Sequence, residues 1–444
     1  MLCSFAAGAQ NVEYRPLPND ATADKALVTA VTKRFEKDVA ALPPPNKKAT
    51  AEIYRERFDL IVKRFQEGEV ITNATTQAYF SRIVREVFRG NPNLDTTGLR
   101  IYFSRASDAN ASSLGEGTIL FNIGLFHRLK NEAQAAFVVS HELAHYFLNH
   151  GNNDIQSHVN TIYSNEFQKK LKDIQKSGYR QNSQVEALTK NLLFKNRRHS
   201  RAFEQSADSM AVELMKNTRF DVREALTSLA LLDSADKEKY NAPLRLETVF
   251  HFPSYPFKQA WIKSNMLVIK DSASKREKAE ADSLKTHPDC KLRIERLSTP
   301  VAQYAKAGSV KFVGAEEEFA ALQKQFDREM IEHAFQSKGV SLALYLALKM
   351  RTVYPGDLYA NATIGRCLNE IYSYQKRHEL SRIVDLPGPG VAEEYNSLLH
   401  LIQNTRLQEI AALSYHFLKQ YETQLSTHPL YAPILAKSAE HFNQ

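Results

Sequence analysis

Cysteine is scarce in this sequence, and long apolar runs are absent. The three cysteines among 444 residues show no CxxC spacing, which excludes the common zinc-ribbon and thioredoxin motifs. Cys290 and Cys367 are expected to be isolated buried thiols; a disulfide between them is the alternative if a leader containing Cys3 is removed. No window approaches the roughly 18 to 20 consecutive apolar residues of a membrane span, so we expect no transmembrane segment.

A strong charge imbalance is also missing. The net charge of +8 is modest for this length, and the densest basic cluster is KNRRHSR at 195–201. Such a distribution favours a solvated surface over nucleic-acid binding, so no nucleic-acid partner is expected. Hydrophobic residues make up 43% and charged residues 24%, the composition of a globular protein long enough for two or three domains.

The first 49 residues are predicted to be a leader remnant followed by a linker. The start, MLCSFAAGAQ, ends in small residues like those before a signal-peptide cleavage site, although the charged and long apolar parts are missing. The stretch ALPPPNKK at 41–48 is a proline-rich break. We therefore expect an exported protein with a truncated signal peptide; an ordinary frayed terminus is the alternative.

Apolar periodicity predicts an α+β protein that is mostly α-helical. Helical spacing recurs in residues 50–65 and 72–88, and two strand-like runs follow at 99–106 and 117–124. Residues 155–235 are predicted to form a series of helices. Together these segments predict a first folded domain over residues 50–300.

A second, all-helical domain is predicted over residues 301–444. A polar, Lys-rich connector around 270–282 precedes it, and the helical pattern breaks at YPGD (354–357) and LPGPG (386–390). Helix pairs of this length resemble tetratricopeptide repeats, and a plain helical bundle is the alternative.

The stretch 138–150 reads VVSHELAHYFLNH and places polar groups in an otherwise apolar helix, predicted to run from residue 131 to 151. His141 and His145 are four residues apart, so both imidazoles project from one face and can reach one metal ion. Glu142 is turned about 100° from His141 and would lie beside the metal, where it can take a proton from bound water. This HExxH spacing is typical of zinc peptidases; a core helix with satisfied polar groups is the alternative.

The residues after this motif exclude the metzincin class, which needs a glycine three residues and a histidine six residues after the second histidine. Leu148 and Gly151 occupy those positions. On a continuous helix, His150 would be turned about 140° from His145, which predicts a surface or capping group. A third ligand is therefore expected from another helix.

The segment SRAFEQSADSMAVELM at 200–215 offers that second helix. Glu204 and Asp208 are one turn apart and share a face. Glu204 can complete a site of two histidines and one glutamate, and Asp208 can accept a hydrogen bond from the outer nitrogen of a ligand histidine. Flanking apolar residues indicate a partly buried helix, where carboxylates need a partner; a solvated helix charge is the alternative for Glu204.

Four motifs occur in the chain: NASSLGEGTILFNIGLF at 110–126, HELAH at 141–145, EQSAD at 204–208 and HPDCKLRI at 287–294. In their sequence and order, roughly residues 50–300 resemble the HtpX and CAAX-prenyl-protease type of gluzincin metallopeptidases. Because it has no membrane spans, the chain is more similar to the soluble, periplasmic BepA-like branch, in which a tetratricopeptide domain follows the protease.

The resemblance implies a small sheet whose edge strand, around residues 118–121, borders the cleft and pairs with an extended peptide. It places Asn110 and Ala111 at the border of that cleft. It also places His287 near the zinc, as a fourth ligand that keeps the enzyme inactive, and Arg293 at a carboxylate of the site, the substrate or the oxyanion. For Asn110, His287 and Arg293 the alternatives are a turn residue, a loop histidine and a structural ion pair.

These observations predict a zinc metalloendopeptidase with one Zn²⁺ per chain. His141, His145 and Glu204 would hold the zinc, and Glu142 would be the general base. The resemblance implies protein or peptide substrates, including unfolded envelope proteins, and partner proteins bound by the helical domain. The alternative is a latent or non-catalytic zinc-containing binding factor with a chaperone-like role.

Overall fold

The computed structural model describes residues 14, 16–176, 201–233, 243–263, 290–388 and 391–444. The chain forms two compact units. The first, here called the motif unit, comprises Leu17–Lys237 and Ser272–Gln323, and the second, the helical unit, comprises Met1–Pro16, Glu238–Asp271 and Lys324–Gln444. The predicted boundaries after residues 49 and 300 both fall inside the motif unit, and the division into functional domains stays a prediction.

Most of the described chain is helical. The α-helices are α1 (Ala21–Ala40), α2 (Lys47–Gln66), α3 (Ala74–Gly90), α4 (Ile123–Phe126), α5 (Glu132–Phe147), α6 (His150–Ile162), α7 (Asn165–Lys176), α8 (described over 201–215), α9 (Glu224–Asp233), α10 (Leu246–Val249), α11 (Cys290–Tyr304), α12 (Glu316–Gln336), α13 (Val340–Val353), α14 (Leu358–Lys376), α15 (Glu393–Asn404), α16 (Leu407–Lys419), α17 (Glu422–Leu425) and α18 (Ala432–Phe442). Among the described residues, no helix combines the length and the hydropathy needed to cross a membrane.

One small mixed sheet lies in the motif unit. Its strands are β1 (Val70–Ile71), β2 (Arg100–Ser104), β3 (Ala111–Ser113) and β4 (Thr118–Asn122), in the order β1-β2-β4-β3. The predicted strands at 99–106 and 117–124 are confirmed as β2 and β4, which pair in parallel. The expectation that residues 118–121 present an open edge is wrong, because β4 lies between β2 and β3. The edge strand next to β4 is β3, which contains Ala111, and β1 forms the opposite edge.

Aromatic side chains fill the core on one face of this sheet. The ring centroids of Phe80 in α3 and Phe103 in β2 lie 4.1 Å apart, and those of Phe103 and Phe126 lie 5.1 Å apart. Phe121 of β4 joins them at 5.5 Å from Phe80. Since β2 and β4 are parallel and pair Phe103 with Phe121, their period-2 alternation places both rings on the same face.

The N-terminal segment covers the other face of the sheet, so the prediction of a linker through residue 49 is wrong. Leu27 and Val31 of α1 are one turn apart and pack in a buried cluster with Leu120 of β4. The side chain of Asp20 caps α1 by accepting hydrogen bonds from two backbone N–H groups of its first turn. The proline run only separates α1 from α2 and does not mark a long unstructured stretch.

The motif helix α5 runs through the interior of the motif unit. Every residue from Glu132 to Ala144 is buried. The Glu132 carboxylate accepts hydrogen bonds from the backbone N–H groups of Val313 (2.6 Å) and Gly314 (3.0 Å) and from the Tyr79 hydroxyl (2.7 Å). A buried carboxylate requires such partners, so these bonds fix the start of α5 in the core.

The predicted end of this helix at Gly151 is wrong. α5 ends at Phe147, and Asn149 adopts a left-handed conformation with φ of 56°, which asparagine tolerates better than most residues. A new helix, α6, then begins at His150. The turn brings His150 back toward the motif, where it is buried, so the prediction of a surface position is also wrong.

The helical unit has a core of its own. Leu344 of α13, Leu368 of α14 and Leu413 of α16 are fully buried within it. The predicted break at YPGD is confirmed: α13 ends at Val353, and Asp357 caps α14 by accepting a hydrogen bond from the backbone N–H of Ala360. The tetratricopeptide-like character of this unit stays a prediction. Cys290 in the motif unit and Cys367 in the helical unit are buried thiols.

Candidate metal centre

Three side chains converge where α5 and α8 face each other. The Nε2 atoms of His141 and His145 lie 3.1 Å apart, and carboxylate oxygens of Glu204 lie 3.5 Å and 3.3 Å from them. Bonds of about 2.0–2.1 Å to a tetrahedral Zn²⁺ place neighbouring ligand atoms about 3.3 Å apart. The three groups therefore have the spacing and the donor chemistry to hold such an ion.

Helical periodicity explains why the two elements present these groups. His141 and His145 are separated by one turn of α5, and Glu204 and Asp208 by one turn of α8. The buried face of α8 alternates these carboxylates with apolar side chains: Glu204, Ala207, Asp208, Ala211, Val212 and Met215. The apolar members anchor the helix in the core, so the carboxylates are held at the site.

The charges of the site favour a cation. Glu142, Glu204 and Asp208 are buried carboxylates, and Arg293 is the cation paired with two of them. Burial opposes protonation of His141, but Asp208 and Glu204 outweigh it and raise the pKa of His141 to about 10. A site that stabilises positive charge on a buried imidazole also suits a divalent metal ion, which would compensate the surplus of carboxylates.

Asp208 supports the site from behind His141. Its Oδ1 atom lies 3.0 Å from Nδ1 of His141, the nitrogen that does not face the other ligands. Burial alone would raise the pKa of Asp208, but hydrogen bonds from Arg293 and His141 hold it below its usual value. Asp208 is therefore a carboxylate that can orient the ring of His141, as the one-turn spacing from Glu204 predicts.

Glu142 contacts the edge strand of the sheet. Its Oε2 atom accepts a hydrogen bond of 2.7 Å from the backbone N–H of Ser113 in β3. A small cavity lies at this point, lined in part by Ala111, His141, Glu142 and Arg293. The edge strand β3, the helix α5 and the side chain of Glu142 therefore border one cleft.

The sequence profile of peptidase family M48 matches residues 74–301, just over half of the 444 residues. The chain belongs to this family. No match to the chain was found among curated proteins. The matched range includes the sheet strands β2 to β4, both ligand-bearing helices and Arg293. M48 peptidases typically bind zinc, and the cluster of His141, His145 and Glu204 provides a place for it.

The other predicted site residues of this M48 peptidase have different outcomes. Asn110 precedes β3 and Ala111 begins it, so both lie at the edge strand. Arg293 is buried and ion-paired, with Nε and Nη2 donating to the Asp208 carboxylate at 2.7 Å each and Nη1 lying 3.0 Å from Glu204. Its contact with a site carboxylate is therefore observed, and its role toward substrate or oxyanion stays a prediction. His287 lies outside the described residues.

Replacing Arg293 with methionine is expected to destabilise the metal-free protein by about 3 to 5 kcal/mol, because it removes the buried guanidinium that pairs with Asp208 and Glu204. Zinc should restore part of this loss, since it binds the folded state. The free energy of unfolding in urea, with and without zinc, measures both effects. Arg296→Met removes an exposed arginine from the same helix and should change stability by less than about 0.5 kcal/mol. Equal stability of the two variants would contradict the counter-ion role.

Two residues of the site were missed from the sequence. His150 contacts the outer nitrogen of His145, and Ser113 contacts Glu142 through its backbone N–H. The burial of His150, and to a lesser extent the nearby His145, lowers the pKa of His150 to about 4, so its ring is neutral near pH 7. The sequence signal for His150 is the asparagine before it, which can end one helix and begin another.

Proposed function

We propose that this M48 family member is a zinc metalloendopeptidase that hydrolyses peptide bonds in protein substrates. The observation that carries the proposal is the near-tetrahedral spacing of His141, His145 and Glu204, with Glu142 adjacent on the same helix. One Zn²⁺ per chain would occupy this cluster. The peptidase family supports the reaction class.

The mechanism assigns a separate task to each residue. His141, His145 and Glu204 would hold the zinc, which when bound would supply acidity to the attacking water and polarise the scissile carbonyl. Glu142 accepts the proton of that water on its carboxylate and delivers it to the leaving amine. The N–H of Ser113 holds the Glu142 carboxylate at the end of the edge strand, so the base is fixed relative to a bound peptide.

The edge strand β3 is the proposed binding site for the substrate backbone. Backbone hydrogen bonds join Asn110 to Asn122 and Leu114 to Thr118, so alternate residues of β3 face β4. By the antiparallel alternation, Ala111 and Ser113 direct their backbone groups away from β4, toward the cleft. The N–H of Ser113 donates to Glu142, so a peptide would pair with other backbone groups of this edge. An extended peptide can pair there whatever its sequence.

Two side-chain atoms support substrate binding at this edge. Oδ1 of Asn110 and Oγ of Ser113 are buried and have no hydrogen-bond partner among the described residues. A buried polar atom without a partner costs about 1 to 3 kcal/mol, and a peptide amide could remove that cost. We therefore include Asn110 with Ala111 in the proposed substrate site. The resemblance to the BepA-like branch extends the proposal to unfolded envelope proteins as substrates and to a periplasmic location.

The test is zinc content together with cleavage of an unfolded protein such as reduced casein. We expect one zinc per chain, cleavage that stops when 1,10-phenanthroline removes the metal, and recovery when zinc is added back. Stoichiometric zinc without cleavage would instead favour the non-catalytic binding factor. Absence of zinc binding would overturn the proposed metal site.

A further inference from the structure

His150 contacts a proposed zinc ligand on the side away from the metal. Its Nδ1 atom lies 3.0 Å from Nδ1 of His145, and its Nε2 atom lies 3.1 Å from Oγ of Ser206. The ring stacks on Phe203 with centroids 4.3 Å apart and is 6% exposed. The ring is therefore fixed by a polar contact at each nitrogen and by an aromatic contact on its face.

These contacts define a consistent direction for the protons. A metal on Nε2 of His145 leaves the proton of that ring on Nδ1, so Nδ1 is the donor and Nδ1 of His150 must accept. A neutral His150 then carries its proton on Nε2 and can donate to Ser206. The Ser206 hydroxyl lies 3.0 Å from the carbonyl oxygens of Ala202 and Phe203, either of which can accept its proton. Every hydrogen bond in the series has one donor and one acceptor.

We infer that His150 and Ser206 are positioning residues for the metal site, an inference that rests on the proposed zinc function. They fix the tautomer and the ring orientation of His145, as Asp208 does for His141. They also connect the start of α6 to α8, the helix that carries Glu204. The support behind His145 is neutral, so it adds no further negative charge to a site that already contains three carboxylates.

Two substitutions separate positioning from packing. His150→Phe keeps an aromatic ring against Phe203 but removes the acceptor. His150→Asn removes most of the ring but keeps an oxygen, Oδ1, at the place of Nδ1. Positioning predicts that zinc binds about tenfold more weakly to His150→Phe and within about threefold of wild type to His150→Asn. Packing alone predicts the reverse order.

The measurements are the zinc dissociation constant, from competition with a chelating dye, and the visible spectrum of the Co²⁺-substituted protein. We expect His150→Phe to change the Co²⁺ bands and His150→Asn to leave them close to wild type. His158→Phe, the same substitution two turns further along α6, is the matched control and should bind zinc like wild type. Ser206→Ala should weaken zinc binding less than His150→Phe.

The outcomes distinguish this inference from the proposed function. A wild-type protein that does not bind zinc would contradict the proposed function itself. Wild-type zinc binding with an unchanged affinity in His150→Phe, or weaker binding in His150→Asn than in His150→Phe, would overturn the positioning role. If circular dichroism shows that His150→Phe does not fold, the other two variants decide. Near wild-type zinc binding by His150→Asn together with measurably weaker zinc binding by Ser206→Ala supports the inference. Any other order of the two zinc affinities contradicts it.

Discussion

Glu142→Gln is expected to reduce peptide hydrolysis by roughly a thousandfold, the scale of a lost general base, while zinc stays bound. Glutamine has the size of glutamate but cannot take a proton from water. Its side-chain oxygen can still accept the hydrogen bond that Ser113 donates to Glu142, so the local structure should persist. The side chains of His141, His145 and Glu204 are unchanged, and the metal affinity should be too.

The measurement is the initial rate of cleavage of an unfolded protein, with zinc content determined on the same preparation. Glu295→Gln is the matched control, because it makes the same substitution at an exposed position of α11 and should cleave like wild type. A Glu142→Gln protein that cleaves at the wild-type rate would show that another group is the base. Loss of zinc in this variant would leave the role of Glu142 in proton transfer unsupported.

Glu204→Gln is expected to weaken zinc binding by about a hundredfold to a thousandfold. Structural zinc sites in zinc-finger peptides, which have four ligands, have apparent binding free energies of about 10–16 kcal/mol, or roughly 2.5–4 kcal/mol per ligand. The neutral amide is a poor zinc ligand, and it also removes the charge that lies 3.0 Å from Nη1 of Arg293. Cleavage should fall with the bound metal and recover in part at high zinc concentration.

Competition with a chelating dye measures this change. Glu213→Gln makes the same substitution on α8 at an exposed glutamate that contacts Lys216, and it should bind zinc like wild type. Wild-type affinity in Glu204→Gln would mean that another set of residues holds the metal. The two variants are therefore expected to differ: Glu142→Gln loses catalysis and keeps zinc, whereas Glu204→Gln loses both.

The side chains of the candidate metal cluster could be predicted because each pair depends on local geometry. Within one helix, a separation of four residues fixes the relative direction of two side chains, which is enough for the pairs His141 with His145 and Glu204 with Asp208. That the two pairs meet follows from tertiary packing. The sequence suggests it only through the matching chemistry of two histidines and a carboxylate.

The edge of the sheet could not be predicted in the same way. β3 is three residues long, Ala-Ser-Ser, too short for an alternating apolar pattern. β4, Thr-Ile-Leu-Phe-Asn, is longer and more apolar than β3 and is therefore easier to predict as a strand. In the structure all five of its residues are buried, as expected for an internal strand. The order of strands in a sheet depends on which distant segments pair, and the apolar periodicity within one strand does not predict its partners.

Two other errors have local causes. The prolines at 43–45 predict a break in the chain, but α1 before them has two buried apolar residues one turn apart, Leu27 and Val31. α5 ends at Phe147, and the left-handed residue Asn149 lies two residues before Gly151, the expected end of the helix. Glycine is the more usual residue at such a position, so the sequence predicts a continuous helix to Gly151, which would turn His150 away from His145.

The anchoring of α5 has a consequence for anyone who wishes to dissect this protein into smaller pieces. The family match ends at residue 301, but Glu132 finds its backbone donors at Val313 and Gly314. Gln323 also donates to three backbone carbonyls between residues 126 and 129. A fragment trimmed to the matched range would leave the buried Glu132 carboxylate without these amides at the start of α5. A fragment that keeps all of these hydrogen bonds therefore has to extend at least to Gln323.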